Sequence, residues 1–198
     1  MICIAANDFP EIFSAVHGTG AMLNELTAPY VRRAEINGRG FLIADVGAAP
    51  EEVAAKTALL IRRFSLSGVI GVGAAVGTDI PDGTVVLAAV CTGEGREKRG
   101  LWSERAPDKL YGDPSMLSIV RAASGAARPA RASSVPGALD IWDPPGYAVY
   151  VAANIMRVPA VNIKGIAGRG KKDYASGRLP AAMNALETAL RAIPLLPR

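Results

Sequence analysis

Apolar residues fall in short dense runs punctuated by glycine, proline and aspartate, a pattern of many short elements rather than a few long ones. Residues 2–6 (ICIAA) predict a buried first strand, and Asn7 or Asp8 then caps a short helix starting near Pro10. Residues 30–36 (YVRRAEI) and 40–46 (GFLIADV) flank Asn37-Gly38, a strong hairpin signal. Pro50, Glu51 and Glu52 open a helix on which Ala54, Ala58 and Ile61 share one face, widened by Val53, Leu60 and Phe64. The run SGVIGVG that follows is apolar on both faces, so Val69 to Gly73 predicts an interior strand covered by helices.

After that strand the pattern predicts a glycine loop over Gly73 to Gly77 and a turn through Asp79, Pro81, Asp82 and Gly83. TVVLAAV then returns as a strand. Residues 93–114 are polar and predict a surface loop, with the charge cluster EGREKR read as solvated. A short helix is expected at 114–122, turns around at most one strand at 126–146, a helix at 147–156 and a buried strand at 158–166. Leu179 to Ile193 is an amphipathic closing helix with Pro180 in its first turn and Pro194 at its end. Strands alternating with helices predict one α/β domain over 1–198, a three-layer α/β/α arrangement around a central mixed sheet.

Composition narrows the function classes. Half of the 198 residues are apolar and a fifth are charged, which suits a compact globular protein. The net charge of +4 is modest and aromatics make up 6%, with no basic stripe between aromatics, so nucleic acid is not the expected partner. No apolar run reaches the ~20 residues of a membrane span, and MICIAAND lacks the basic start of a secretory signal. Cys3 and Cys91 both fall in strands and read as buried reduced thiols, giving an expected cytoplasmic location. Two distant cysteines and the single His17 make no metal set.

The glycine-rich run also excludes two common phosphate sites. It lacks the GK[ST] ending of a P-loop, and GVGAAVG runs into a turn instead of opening a helix as a dinucleotide fingerprint does.

The segments ICIAANDFPEI, GAAPEEVAAKTALLI, GVIGVGAAVGTDIPDGTVVLAAV and YAVYVAANIMRVPAVNIKGIAGRGKKDY, in that order, resemble the nucleoside phosphorylase and nucleosidase superfamily. That family includes methylthioadenosine/S-adenosylhomocysteine nucleosidases and uridine phosphorylases. The resemblance implies a phosphorylase/hydrolase-like fold and cleavage of a ribosyl C–N bond. The sugar then develops positive charge, and catalysis needs an acid for the leaving base, a handled nucleophile and an electrostatic clamp.

By this resemblance Gly73, Ala74, Ala75 and Gly77 form the floor of a sugar or anion pocket. Glu11 falls where the family handles its attacking water, and otherwise reads as a surface glutamate in a helix's first turn. The family's "MEs" glutamate, which holds ribose hydroxyls, is replaced by DIWDPPG. That leaves Asp143 or Asp140 as the sugar clamp with Trp142 nearby, or as turn residues before the prolines. The family's "ISD" aspartate, the acid for a purine, gives way to Ala167-Gly168. Arg169 could serve an anionic or carbonyl group, or belong to a solvated loop with Lys171, Lys172 and Asp173.

ANDFPEI stands where phosphorylases carry "GDxxR", which favours water over phosphate as the acceptor, with no cofactor expected and phosphate possible only in a phosphorylase. The resemblance implies a small nucleoside-like substrate and a homo-oligomer. Three readings remain open on the residues: a divergent nucleosidase, a non-catalytic binding or scaffold protein that keeps the fold, and an enzyme with a different reaction in the same pocket.

Overall fold

The computed structural model describes residues 1–17, 22–25, 30–93, 109–125, 127–134, 139–169 and 171–197. Strand β1 (Ile2–Asn7) leads into α1 (Ile12–His17), β2 (Met22–Glu25) and the hairpin β3 (Val31–Ile36) and β4 (Arg39–Gly47). Helix α2 (Pro50–Phe64), β5 (Gly68–Gly77), β6 (Val85–Thr92), β7 (Lys109–Tyr111) and α3 (Pro114–Ser124) follow. The chain closes with β8 (Arg128–Ser133), β9 (Ile141–Trp142), α4 (Pro144–Ile155), β10 (Ala160–Ile166) and α5 (Lys171–Ala192).

All ten strands join one mixed sheet. Parallel β4, β1, β5 and β10 form its centre, and β3 and β2 extend it antiparallel on one side. On the other side β10 pairs with β6, β6 with β8, β8 with β9, and β9 returns to β5. This second half therefore closes on itself, which removes the exposed edge an open sheet would leave there.

Strand alternation distributes the core. Ile2, Ile4, Ile70 and Val72 face a layer built by α1, α3 and α5, while Cys3, Ala5, Val69 and Ala75 face α2 and α4. The three-layer arrangement and the interior position of Val69 to Gly73 are as the pattern predicts, since β5 lies between β1 and β10 and is buried almost throughout.

Local chemistry sets the ends. Asn37 and Gly38 both take positive φ (50° and 71°), as the two-residue hairpin turn requires. Pro50 starts α2 and Ser65, in left-handed backbone, ends it with the Leu66 N–H on the Ile61 carbonyl at 3.2 Å. Asp113 caps α3 by accepting from Met116 N at 2.9 Å.

Several expectations are corrected. Gly73 to Gly77 is not a loop: β5 continues through Gly77 because β10 and β9 pair with its end. The stretch 126–146 holds two strands, β8 and β9, rather than at most one. A strand, β7, interrupts the expected surface loop, whose charge cluster lies outside the described residues. Helix α5 begins at Lys171, so Pro180 lies inside it rather than in its first turn.

Candidate functional site

The carboxyl ends of β1, β5 and β10 meet beneath the start of α4, the place where parallel α/β sheets present ligand-binding groups. Lys164 of β10 pairs in register with Gly73 of β5, and Asn7 ends β1 beside them. Gly73 must be glycine here, because a Cβ would overlap the backbone oxygen of Asn7.

Lys164 is fully buried, and a buried ammonium needs partners. Its Nζ donates to Asn7 Oδ1 at 2.5 Å and stands 3.0 Å from Asp143 Oδ1. Asp143 is itself 2% exposed and caps α4, accepting from Gly146 N at 3.0 Å through the same oxygen. Its other oxygen, Oδ2, is buried with no partner among the described residues, as are Asn7 Nδ2, Thr92 Oγ1 and Ser134 Oγ. Cys91 lies in this field: burial pushes its thiol up, the Asp143 charge adds to the shift and Lys164 opposes it. Behind it, Tyr150 donates to the Ala88 carbonyl at 2.6 Å and accepts from Asn162 N at 3.0 Å, locking α4 to β6 and β10.

A second cluster forms where α5 crosses the β1–α1 junction. Asp8 takes left-handed backbone (φ 51°), which an aspartate tolerates better than most residues. Tyr174 of α5 donates to Asp8 Oδ2. Burial, followed by that hydrogen bond, pushes the Tyr174 hydroxyl up, and the Asp143 charge contributes, so the two clusters share one electrostatic field. One turn further along α5, Arg178 Nη1 donates to the Asp8 carbonyl at 2.6 Å and Nη2 to Glu11 Oε1 at 3.1 Å. Glu11 Oε2 is buried with no partner among the described residues.

A third group borders the end of β5. Asp140 takes the Arg131 backbone N–H at 2.8 Å and the Arg131 guanidinium at 3.0 Å, and this pairing holds its carboxyl below the ordinary range. Trp142 pairs with Val76 across the β5–β9 ladder and donates from Nε1 to the Ser134 carbonyl at 3.1 Å. Both residues are thus structurally engaged at the rim. Ala75 accepts from Ala167 N, and Gly77 N donates to the Gly168 carbonyl at 3.0 Å, so that backbone donor is not available to a ligand. Ala74 is buried in the α5 layer. Gly168 has φ 132°, and a Cβ there would overlap Asp173 of α5, so this backbone leaves no room for an acid at that position. Arg169, just beyond, is exposed.

The fold therefore brings Gly73, Asp143 and the start of the β1–α1 junction together, with Asp140, Trp142 and Gly77 at the border. Lys164, Asn7, Tyr174 and Arg178 complete the clusters and were not singled out by the sequence pattern. A lysine amid the apolar run VPAVNIKGI was the available signal, because a charged residue in a doubly buried strand needs a partner. Among the described residues no three His, Cys, Asp or Glu side chains gather as a metal site, and no helix is long and apolar enough to cross a membrane.

No protein-family model and no curated protein sequence matches the chain. Solved structures do. The 5′-methylthioadenosine/S-adenosylhomocysteine nucleosidase from Neisseria meningitidis, in complex with methylthio-immucillin-A, superposes with a TM-score of 0.83 at 15% identity, covering 98% of this chain and 99% of that one. The chain shares its fold with that solved structure. Futalosine hydrolase of Helicobacter pylori gives 0.84 at 11% identity over 98% and 97% of the two chains. The Streptococcus pneumoniae nucleosidase with 8-aminoadenine gives 0.84 at 13% over 99% and 100%. This nucleosidase fold agrees with the resemblance read from the sequence segments. At such identities the likeness concerns the fold, and the chemistry has to be argued from the residues above.

Proposed function

We propose that the protein is a divergent nucleosidase that hydrolyses the N-ribosyl bond of a nucleoside-like small molecule. One observation carries this reading: two carboxylates, Glu11 and Asp143, each have one oxygen held by a cation and the other buried with no hydrogen-bond partner among the described residues. Asp143 Oδ2 is an acceptor for sugar hydroxyls in the interior. Glu11 Oε2 is an acceptor for a proton of the attacking water, and its charge stabilises the cationic sugar as the C–N bond lengthens. Lys164 holds Asp143 in place through Oδ1 while Asn7 fixes Lys164. Gly73 lets β5 pack closely against Asn7 beside the cluster, Ala74 and Ala75 lie on opposite faces of β5 and so do not line one floor, Gly77 ends the strand, and Asp140, Trp142 and Arg169 stand at the rim.

Water is the co-substrate and no cofactor is required. Inorganic phosphate is the alternative acceptor. A cytoplasmic homo-oligomer is the form in which we expect it to act. A second reading, a binding protein without turnover, is favoured by Gly168, a position where any side chain would overlap Asp173 of the closing helix.

The experiment is reducing-sugar release from adenosine, inosine, uridine, methylthioadenosine and futalosine, and from 4-nitrophenyl β-D-ribofuranoside, whose leaving group needs no acid. Loss of a general acid costs ~10²- to 10⁴-fold, so methylthioadenosine is expected to turn over negligibly and the nitrophenyl riboside best. Release from none of these, with ribose still stabilising the fold to heat, would establish the binding reading instead.

A further inference from the structure

We propose that Arg178 is a positioning residue that fixes which oxygen of Glu11 faces the reacting centre, an inference that rests on the role given to Glu11 above. Glu11 has three side-chain torsions and its side chain is 42% exposed, so unrestrained it would sample many orientations. Arg178 removes that freedom. Its guanidinium is a rigid planar fork, anchored through Nη1 on the Asp8 carbonyl and offering Nη2 to Glu11 Oε1. With Oε1 engaged, Oε2 is buried with no hydrogen-bond partner among the described residues.

The anchor is itself braced. Tyr174 and Arg178 lie one turn apart on the same face of α5 and both grip Asp8, one through its carboxylate and one through its carbonyl. Asp8 in turn directly follows Asn7, which is bonded to Lys164 and abuts Gly73. The start of α5 thus sets the Glu11 carboxylate relative to the interior cluster through two short side-chain links. An arginine suits this task because it cannot accept the proton that Glu11 takes.

The test uses Arg178→Met and Arg178→Lys, alone and combined with Glu11→Gln, with 4-nitrophenyl β-D-ribofuranoside as the probe. Misplacing a reacting group by a fraction of an ångström to an ångström costs up to ~10²-fold, so Arg178→Met is expected to lower kcat by ~10-fold or more. KM should stay within about twofold, and Arg178→Lys should recover most of the rate. In the Glu11→Gln background, Arg178→Met should cost nothing further, since there is no carboxylate left to position.

A readout independent of turnover is the ¹³C carboxyl resonance of Glu11, assigned by its disappearance in Glu11→Gln. At fixed pH it should move in Arg178→Met and return toward its place in Arg178→Lys. An unmoved resonance overturns the contact, and additive losses in the double variant, or equal losses in kcat/KM through KM alone, overturn the positioning role. Failure of the wild-type protein to cleave the probe overturns the hydrolase reading and the positioning role with it, while the resonance still reports whether the contact exists.

Discussion

The interior cluster of Asn7, Asp143 and Lys164 and the junction cluster of Asp8, Glu11, Tyr174 and Arg178 use the same device in different surroundings. In each, a cation holds one oxygen of a carboxylate, and the other has no partner among the described residues. Lys164 and Asp143 are shut away from solvent at 0% and 1% side-chain exposure, whereas Arg178 and Glu11 are 22% and 42% exposed. Burial decides what each pair can be asked to do. In the interior, either partner left alone is an uncompensated charge in a medium that solvates it poorly, so the pair is inseparable from the fold. At the junction, solvent screens a broken pair, and the pair is free to serve orientation with little effect on stability.

The contrast is sharpest in Lys164→Met, which strands the Asp143 carboxylate. Removing one partner of a buried pair costs about 3–5 kcal/mol, so the denaturant midpoint should fall steeply. Adding Asp143→Asn, which removes the charge while keeping an oxygen for the Gly146 cap, should recover part of the loss. Equal stability of the single and double variants would show that the pair is not what holds Asp143.

Gly73→Ala tests whether the interior has slack. Its Cβ meets the Asn7 backbone oxygen, which cannot rotate away, so β1 and β5 must separate at about 1–3 kcal/mol, read in the same denaturation assay. Arg178→Met, by contrast, should lower stability by only about 0.5 kcal/mol despite its effect on rate. A loss as large as that of Lys164→Met would erase the distinction between the two clusters.

The smallest effect is expected at the rim, between Arg131 and Asp140. The Arg131 hydrogen bond holds the Asp140 carboxyl below its ordinary value of 3.8, so the unfolded chain takes up this proton first as the pH falls. The pair's contribution is therefore present above that value and is lost as the pH drops through the lower folded one. Arg131→Met should show a slightly flatter loss of stability on acidification than the wild type, measured by denaturation at a series of pH values.

Much of the scaffold was legible because local rules set it. The Asn37-Gly38 turn, the doubly apolar β5 and the amphipathic α2 each carry their own signal within a few residues. The short β8 and β9 do not: RPARAS is polar and contains proline, and IW is two residues long, so only pairing with β6 and β5 makes them strands. The start of α5 was hidden because Pro180 fits the first turn of a helix beginning at Leu179, whereas it lies inside one that begins at Lys171. Gly177 is required because α5 packs against the Ala167 carbonyl, a tertiary contact no local pattern shows. Glu11 and Asp143 could be picked out through the resemblance. Lys164 carried a signal, a charge within an apolar strand, but its bond to Asn7 spans 157 residues, and Arg178 carried none, since it meets Glu11 across 167.

In the proposed reaction Oδ2 of Asp143 and Oε2 of Glu11 are the sugar and water acceptors of one site. A crystal structure with ribose and adenine bound together tests it most directly. A ribose hydroxyl is expected within hydrogen-bond distance, about 2.5–3.0 Å, of Asp143 Oδ2, and a water or the anomeric hydroxyl at the same range from Glu11 Oε2. Ribose bound away from both oxygens, or adenine and ribose held with neither carboxylate in contact, would contradict it.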